Sequence, residues 1–223
     1  HSPRTARGII VADKLLLSIS GLQVSAARWR GGRIAGCDTF AHDEDGLGQF
    51  KSYLERCGNL PAQVLVDATE EDYRQEPLPH SFGAERSEMV NRKLKQYYRN
   101  TPYCTARLQG RDAGGRRDDR YLFCAITNPE LIASWVLAVL ERGLPVVGIY
   151  LLPAVSESMV AKLQLKQSKL LLASVDGSGL RLTFLRDQQL RVSRLAHVDS
   201  GVAQPLVNYA EEISSTRLYL HAL

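Results

Sequence analysis

The chain has 223 residues, 44% of them hydrophobic and 23% charged, the balance of an ordinary globular protein with enough length for a sizeable core. The net charge of +4 is mild, arginine outnumbers lysine, and aromatics make up only 7% with no basic stripe between them, so the composition does not point to nucleic-acid binding. No segment reaches the roughly 18 apolar residues that cross a bilayer. The longest candidate, Leu144–Val155, is shorter and carries Pro145, Gly148 and Pro153.

Leu15–Ser20, Leu22–Arg30 and Arg33–Phe40 read as three short strands, with Gly31-Gly32 as a two-residue hairpin turn. A helix over Asp43–Cys57 follows, with Asp45 as its N-cap, Gly58 past its end, and Leu47, Phe50 and Leu54 on its apolar face. Val64–Ala68 is a buried strand. Asp67, Glu70, Glu71 and Asp72 lack the ligand order of a calcium loop and read as a solvated strand end. Pro77–Gly83 reads as a loop and Glu85–Arg99 as a charged helix with Met89, Leu94 and Tyr97 or Tyr98 inward.

Tyr103–Leu108 and Tyr121–Ile126 form a hairpin whose connection is rich in Gly, Asp and Arg. Cys104 and Cys124 flank its centre at equal distances and would face each other. Two unbonded thiols are the expectation for a reducing compartment, and no Cys-x-x-Cys pair or His-x-x-x-His pair suggests zinc. Asn128 caps a helix to Glu141 with Leu131, Trp135, Leu137, Val139 and Leu140 inward. Val146–Leu151 reads as a strand covered on both faces, and Ser156–Leu165 as a short helix. Leu170–Ser174, Leu180–Leu185 and Leu190–Leu195 form a second three-stranded meander, closed by a helix over Ala203–Leu223. The chain opens without a Met and stops inside or just after that helix with no capping Gly. A continuation past residue 223, towards a membrane anchor, is therefore expected.

A repeat organises this order. Ser20–Arg28 aligns without a gap on Ser178–Arg186, each preceded by a run opening on Lys-Leu-Leu-Leu, at Lys14 and Lys169. The expected division is a first lobe over 1–165, carrying an inserted α/β segment at about 85–127, and an incomplete second lobe over 166–223. The class is α/β with mixed sheets.

The repeated β-β-β-α-β unit resembles the ribonuclease-H-like lobe of the actin, sugar-kinase and Hsp70 superfamily. Val64-Leu-Val-Asp-Ala-Thr-Glu-Glu-Asp-Tyr with Pro77-Leu-Pro79 resembles the type II secretion L protein. Phe123–Ile132 with Leu140–Tyr150, then Leu170–Leu195 with Gly201 and Glu211-Glu-Ile-Ser-Ser-Thr, is similar to the pilus protein PilM and its relative MshI. The resemblance implies a domain of a bacterial pilus or secretion platform at the cytoplasmic face of the inner membrane, recruiting other platform proteins and the assembly ATPase. A homodimer is compatible with it.

The resemblance also implies two phosphate loops that read Asp-x-Gly in such proteins. Here the first is Ser18-Ile19-Ser20-Gly21, so Ser18 stands at the carboxylate position. The second is Ser174-Val175-Asp176-Gly177, or, with a two-residue slip, Asp176-Gly177-Ser178-Gly179. A hydroxyl supplies no anionic charge to Mg²⁺ beside the β- and γ-phosphates. The expectation is therefore a non-catalytic scaffold without cofactor. The alternative is a nucleotide-binding domain that uses Asp176 with ATP and Mg²⁺. Arg107, Arg111, Arg116, Arg117 and Arg120, mixed with Asp112, Asp118 and Asp119, read either as a solvated loop or as a docking surface for an acidic partner or lipid head groups.

Overall fold

The computed structural model describes residues 13–111, 117–176, 179–196 and 205–221. They fall into two compact units. One comprises the chain up to Val66 with Ser134–Tyr150, the other Asp67–Ala133 with Leu151–Leu223.

In the first unit β1 (Lys14–Ser20), β2 (Gln23–Arg30) and β3 (Arg33–Ala41) form an antiparallel meander. Gly31 and Gly32 turn its second hairpin at φ of 57° and 85°, the left-handed region that glycine enters at no steric cost. Helix α1 (Glu44–Glu55) follows, then β4 (Ala62–Asp67). Helix α3 (Glu130–Glu141) leads into β8 (Val146–Leu151), and the sheet order is β3-β2-β1-β4-β8. The N-cap of α1 is Asp43, not Asp45. Its carboxylate accepts from Gly46 N–H at 2.8 Å, while Glu44 and Asp45 lie in the first turn, where the helix dipole favours them. Phe50, Tyr53 and Leu54 are buried on the face that meets Phe40 and Trp135.

Gly46 is required by a close approach. A Cβ there would sit 2.8 Å from the carbonyl carbon of Ala41, which is backbone and has nowhere to go. Gly46→Ala is expected to cost about 3 kcal/mol in urea unfolding, the upper range for a forced overpacking.

Two expectations for this unit are corrected. Leu137 and Leu140 are half exposed. The buried face of α3 is Ile132, Trp135, Val136 and Val139, a stripe at helical spacing that those two leucines miss. β8 is an edge strand with Val147 and Tyr150 exposed, so its apolar run does not mark a strand covered on both faces.

In the second unit β5 (Glu71–Leu78), β6 (Cys104–Arg111) and β7 (Asp119–Ile126) form a sheet ordered β5-β7-β6, with helix α2 (Gly83–Tyr97) beside β6. Leu78, Tyr98, Tyr121, Phe123 and Ala125 make its core, with Met89, Leu94 and Tyr97 packed against them. β5 corrects the reading of Glu70–Asp72 as a solvated strand end and of Pro77 as loop. Charged residues alternate along it because it is an edge strand, and Pro77 is tolerated for the same reason. The hairpin pairs Cys104 with Ala125 and Thr105 with Cys124, one residue away from the symmetric register expected, and both thiols are free.

Helix α4 (Leu152–Lys162) starts earlier than expected, with Pro153 in its first turn. The meander β9 (Lys169–Asp176), β10 (Gly179–Arg186), β11 (Gln189–Ala196) and helix α5 (Pro205–His221) complete the unit. Asp187 and Gln188 both adopt positive φ, 52° and 62°, at the β10–β11 turn. Leu180, Leu182 and Ala196 pack against Leu171, Tyr209 and Ile213.

Candidate functional site

Strand register places the two implied loops. Ile19 pairs with Val24 and Val175 with Leu180, so equivalent rungs superpose residue n of the first meander on residue n+156 of the second. Ser18 then matches Ser174, and Ser20 matches Asp176. The ungapped match of Ser20 on Ser178 is displaced by two residues, and so is the slip that would put Asp176 at the position of Ser18. Both overlook that β9 pairs up to Asp176↔Gly179. A displacement of two preserves the alternation of faces, and the sequence pattern alone does not reveal it.

Ser18 is exposed, opposite Ser25. Ser20 is buried and its hydroxyl is spent on the turn, donating to the Gln23 carbonyl at 2.9 Å and accepting from Gln23 N–H at 3.2 Å. Gly21 is exposed. The Ser20 carbonyl also meets His42 Nδ1 at 2.5 Å, and His42 stacks edge-on to Trp135. Ser174 is exposed, while Gly179 is buried at φ 126°. Gly177 and Ser178 lie outside the described residues.

The partner of Ser174 across the β9–β10 ladder is Arg181, which the sequence reading passed over. It is only 3% exposed. Its Nε donates to Asp67, its Nη1 to Glu71 at 3.2 Å and to Ser193 Oγ at 3.0 Å, and its Nη2 to the Ala68 carbonyl at 2.7 Å. Asp67 ends β4 at 2% exposure, and the side chain of Glu71 is 3% exposed. Glu71 also accepts from Ala68 N–H at 3.1 Å and from Tyr73 Oη at 2.7 Å. Burial pushes the Glu71 carboxyl above its ordinary range, against the lowering pull of Arg181, the Tyr73 hydroxyl and the Ala68 amide. These acids do not form a solvated strand end. They are a buried anionic pair closed around an internal guanidinium. In Leu180-Arg181-Leu182-Thr183 an alternation with one polar face reads as solvent-facing, which hid the site. The remaining signal was a carboxylate ending an apolar strand.

The arginines of the β6–β7 hairpin are placed separately. Arg107 pairs with Glu157 of α4, whose other oxygen accepts from Leu190 N–H at 2.6 Å and Gln109 at 3.3 Å. Arg111 Nε donates to Asp119 at 3.0 Å, and His80 Nδ1 meets the other Asp119 oxygen at 2.8 Å. Asp119 is 3% exposed, and the hydrogen bond from His80, with a second from Arg111, holds its carboxyl below the usual range. Asp119→Asn is therefore expected to lower the unfolding midpoint at pH 7 and to lose that effect as pH falls below the ordinary carboxylate range. The lowered pKa gives a contribution present above the unfolded value of about 3.9 and lost on titrating through the folded one. Arg117 is exposed with φ 57°, Arg120 is half-buried on β7, and Arg116 lies outside the described residues.

No family model matches the chain, and no curated protein matches it significantly. Solved structures do. The PilM–PilN type IV pilus biogenesis complex matches at 13% identity and a TM-score of 0.59, covering 82% of this chain and 61% of that one. The cytoplasmic domain of EpsL, an inner-membrane component of the type II secretion system of Vibrio cholerae, matches at 13% identity and a TM-score of 0.50, covering 81% and 71%. The chain thus spans less than two thirds of the first of these. The fold is the mixed α/β, actin-like one that the sequence resemblance implied. Among the described residues no helix is long and apolar enough to cross a membrane.

Proposed function

We propose that this chain is a non-catalytic, actin-like domain of a bacterial pilus or type II secretion assembly platform, of the MSHA pilus kind, acting at the cytoplasmic face of the inner membrane by recruiting other platform proteins. Likeness to structures from both machineries supports the setting. The observation that carries the non-catalytic reading is the bonding of Arg181. The strand-end carboxylate of Asp67 and the neighbouring Glu71 already have their cation, held by the protein itself at contact distance. A divalent ion would have to displace a guanidinium tied at three nitrogens. Hydroxyls stand at Ser18 and Ser174, where the resemblance expects carboxylates. This donor set does not fit a magnesium nucleotide.

Substituting Ser18 and Ser174 together by Ala, in the source organism, tests the reading. Recruitment without nucleotide predicts appendage assembly or secretion at the unsubstituted level. Dependence on a phosphate held by those hydroxyls predicts loss, and loss with unchanged protein abundance would overturn the reading.

A further inference from the structure

Helix α2 and strand β6 are joined by the short connection Tyr98–Tyr103, and a cavity of about 500 Å³ opens between them. Leu94, Tyr98, Thr101 and Cys104 are its covered lining, and Lys95 and Arg99 stand exposed beside them. Helix, connection and strand are consecutive in the chain and belong to the second unit. The volume falls in the range of small-molecule sites.

The covered side is apolar with one polar proton unspent. Tyr98 is buried, and its hydroxyl donates to Asp72 at 2.9 Å, itself paired with Arg74 at 2.7 Å. Burial pushes the Cys104 thiol above its ordinary range, so it lines the cavity as a neutral group at pH 7. Thr101 is 8% exposed. Its Oγ1 accepts from Tyr103 N–H at 3.2 Å, and among the described residues its own proton has no acceptor. Such a buried donor is costly unless something accepts from it.

The exposed side is cationic. Lys95 lies in the last turn of α2 and Arg99 just past its C-cap, Tyr98. The helix dipole favours cations there, so their presence alone marks no site. Yet among the described residues neither has an ion pair, whereas Lys93 reaches Glu76 at 2.5 Å. No Asp or Glu occurs from Met89 to Arg111. The cavity therefore joins an apolar wall, a buried donor and two cations without a counterion in its own lining.

We propose that this cavity binds an amphipathic anion, a free small molecule with an aromatic or short acyl body and a carboxylate, sulfonate or phosphate head. The body lies against Leu94, Tyr98 and Cys104. The head takes the Thr101 proton and neutralises Lys95 and Arg99. This goes beyond the recruitment reading and does not rest on it.

Cys104 supplies the readout. Alkylation of the chain by iodoacetamide, followed cysteine by cysteine by peptide mass spectrometry, reports access to the cavity. The exposed Cys37, in the first unit, is the internal control. The probe is anilinonaphthalenesulfonate, an aromatic anion of this class. At about 1 mM it is expected to slow Cys104 alkylation at least about fivefold, with half the effect at about 10–100 µM, and to leave Cys37 unchanged. Lys95→Glu with Arg99→Glu is expected to raise the half-effect concentration about tenfold, the size of two exposed charge contacts. Slow alkylation of the buried Cys57 and Cys124 reports that the variant is folded, and Lys95→Gln with Arg99→Gln is the milder pair should it not be. A Cys104 rate unchanged or increased at about 1 mM probe overturns the proposal. So does equal slowing of Cys37, which means general adsorption. A half-effect concentration that the substitutions leave in place also overturns it, since the cations would then hold no anion.

Discussion

Replacing Arg181 by Met is expected to lower the stability of the second unit by about 3–5 kcal/mol at pH 7, the usual cost of stripping one partner from a buried ion pair. The side chain is 3% exposed and its partners Asp67 and Glu71 are as deeply covered, so the substitution leaves two carboxylates without a cation. The loss should depend on pH in a definite sense. Glu71 already has a raised pKa because of burial, and Arg181 is the largest influence opposing it. Without Arg181 the folded pKa rises further above the unfolded value of about 4.3. A group raised on folding contributes stability below its unfolded pKa and loses it as pH rises through the folded one. Arg181→Met should thus approach the unsubstituted protein near pH 4 and fall away towards pH 8. Combining it with Asp67→Leu and Glu71→Met should restore most of the stability, since an apolar filling of similar volume often replaces a buried ion cluster without cost. Urea unfolding at three pH values measures all of this. An Arg181→Met variant with an unchanged midpoint at pH 7 would contradict the ion cluster.

Phe50→Ala should be of similar size in the first unit, about 3–5 kcal/mol for deleting a fully buried ring. Phe50 is 0% exposed and lies 5.4 Å from the Phe40 ring and 5.3 Å from that of Trp135. The cost should come almost wholly from lost packing, so its pH dependence should be flat, in contrast to Arg181→Met. The same urea titrations separate the two, with the emission of Trp29 and Trp135, both in the first unit, as its reporter. A cost below about 1 kcal/mol would mean that the α1–α3 contact is not a core.

The meanders and helices were legible because local chemistry decides them. Gly31-Gly32 and the Asn128 cap state their own structure. Glu130 N–H does reach Asn128 Oδ1, at 3.2 Å. β5 was hidden because an edge strand next to β7 tolerates Glu71, Asp72 and Glu76, so its pattern copies that of a loop. β8 was misjudged for the converse reason. Apolar content states what a strand tolerates, not which neighbours it has.

The candidate site was legible only in part. Ser18 and Ser174 could be placed by resemblance, and the register of β9 on β10 fixes their equivalence. Arg181 could not be found this way. Its meaning depends on Asp67 and Glu71, more than a hundred residues earlier in the chain, and no local pattern records that meeting. The arginines of the hairpin show the reverse. They cluster in sequence, yet Arg107 turns to Glu157 and Arg111 to Asp119.

Calorimetric titration of the chain with ATP, with and without Mg²⁺, bears most directly on whether the chain holds a magnesium nucleotide. Heats indistinguishable from dilution up to about 1 mM nucleotide are expected, a free energy no better than about −4 kcal/mol. Micromolar binding that requires Mg²⁺ and vanishes in Asp176→Ala would show that the chain still holds a nucleotide, and the scaffold reading would be wrong.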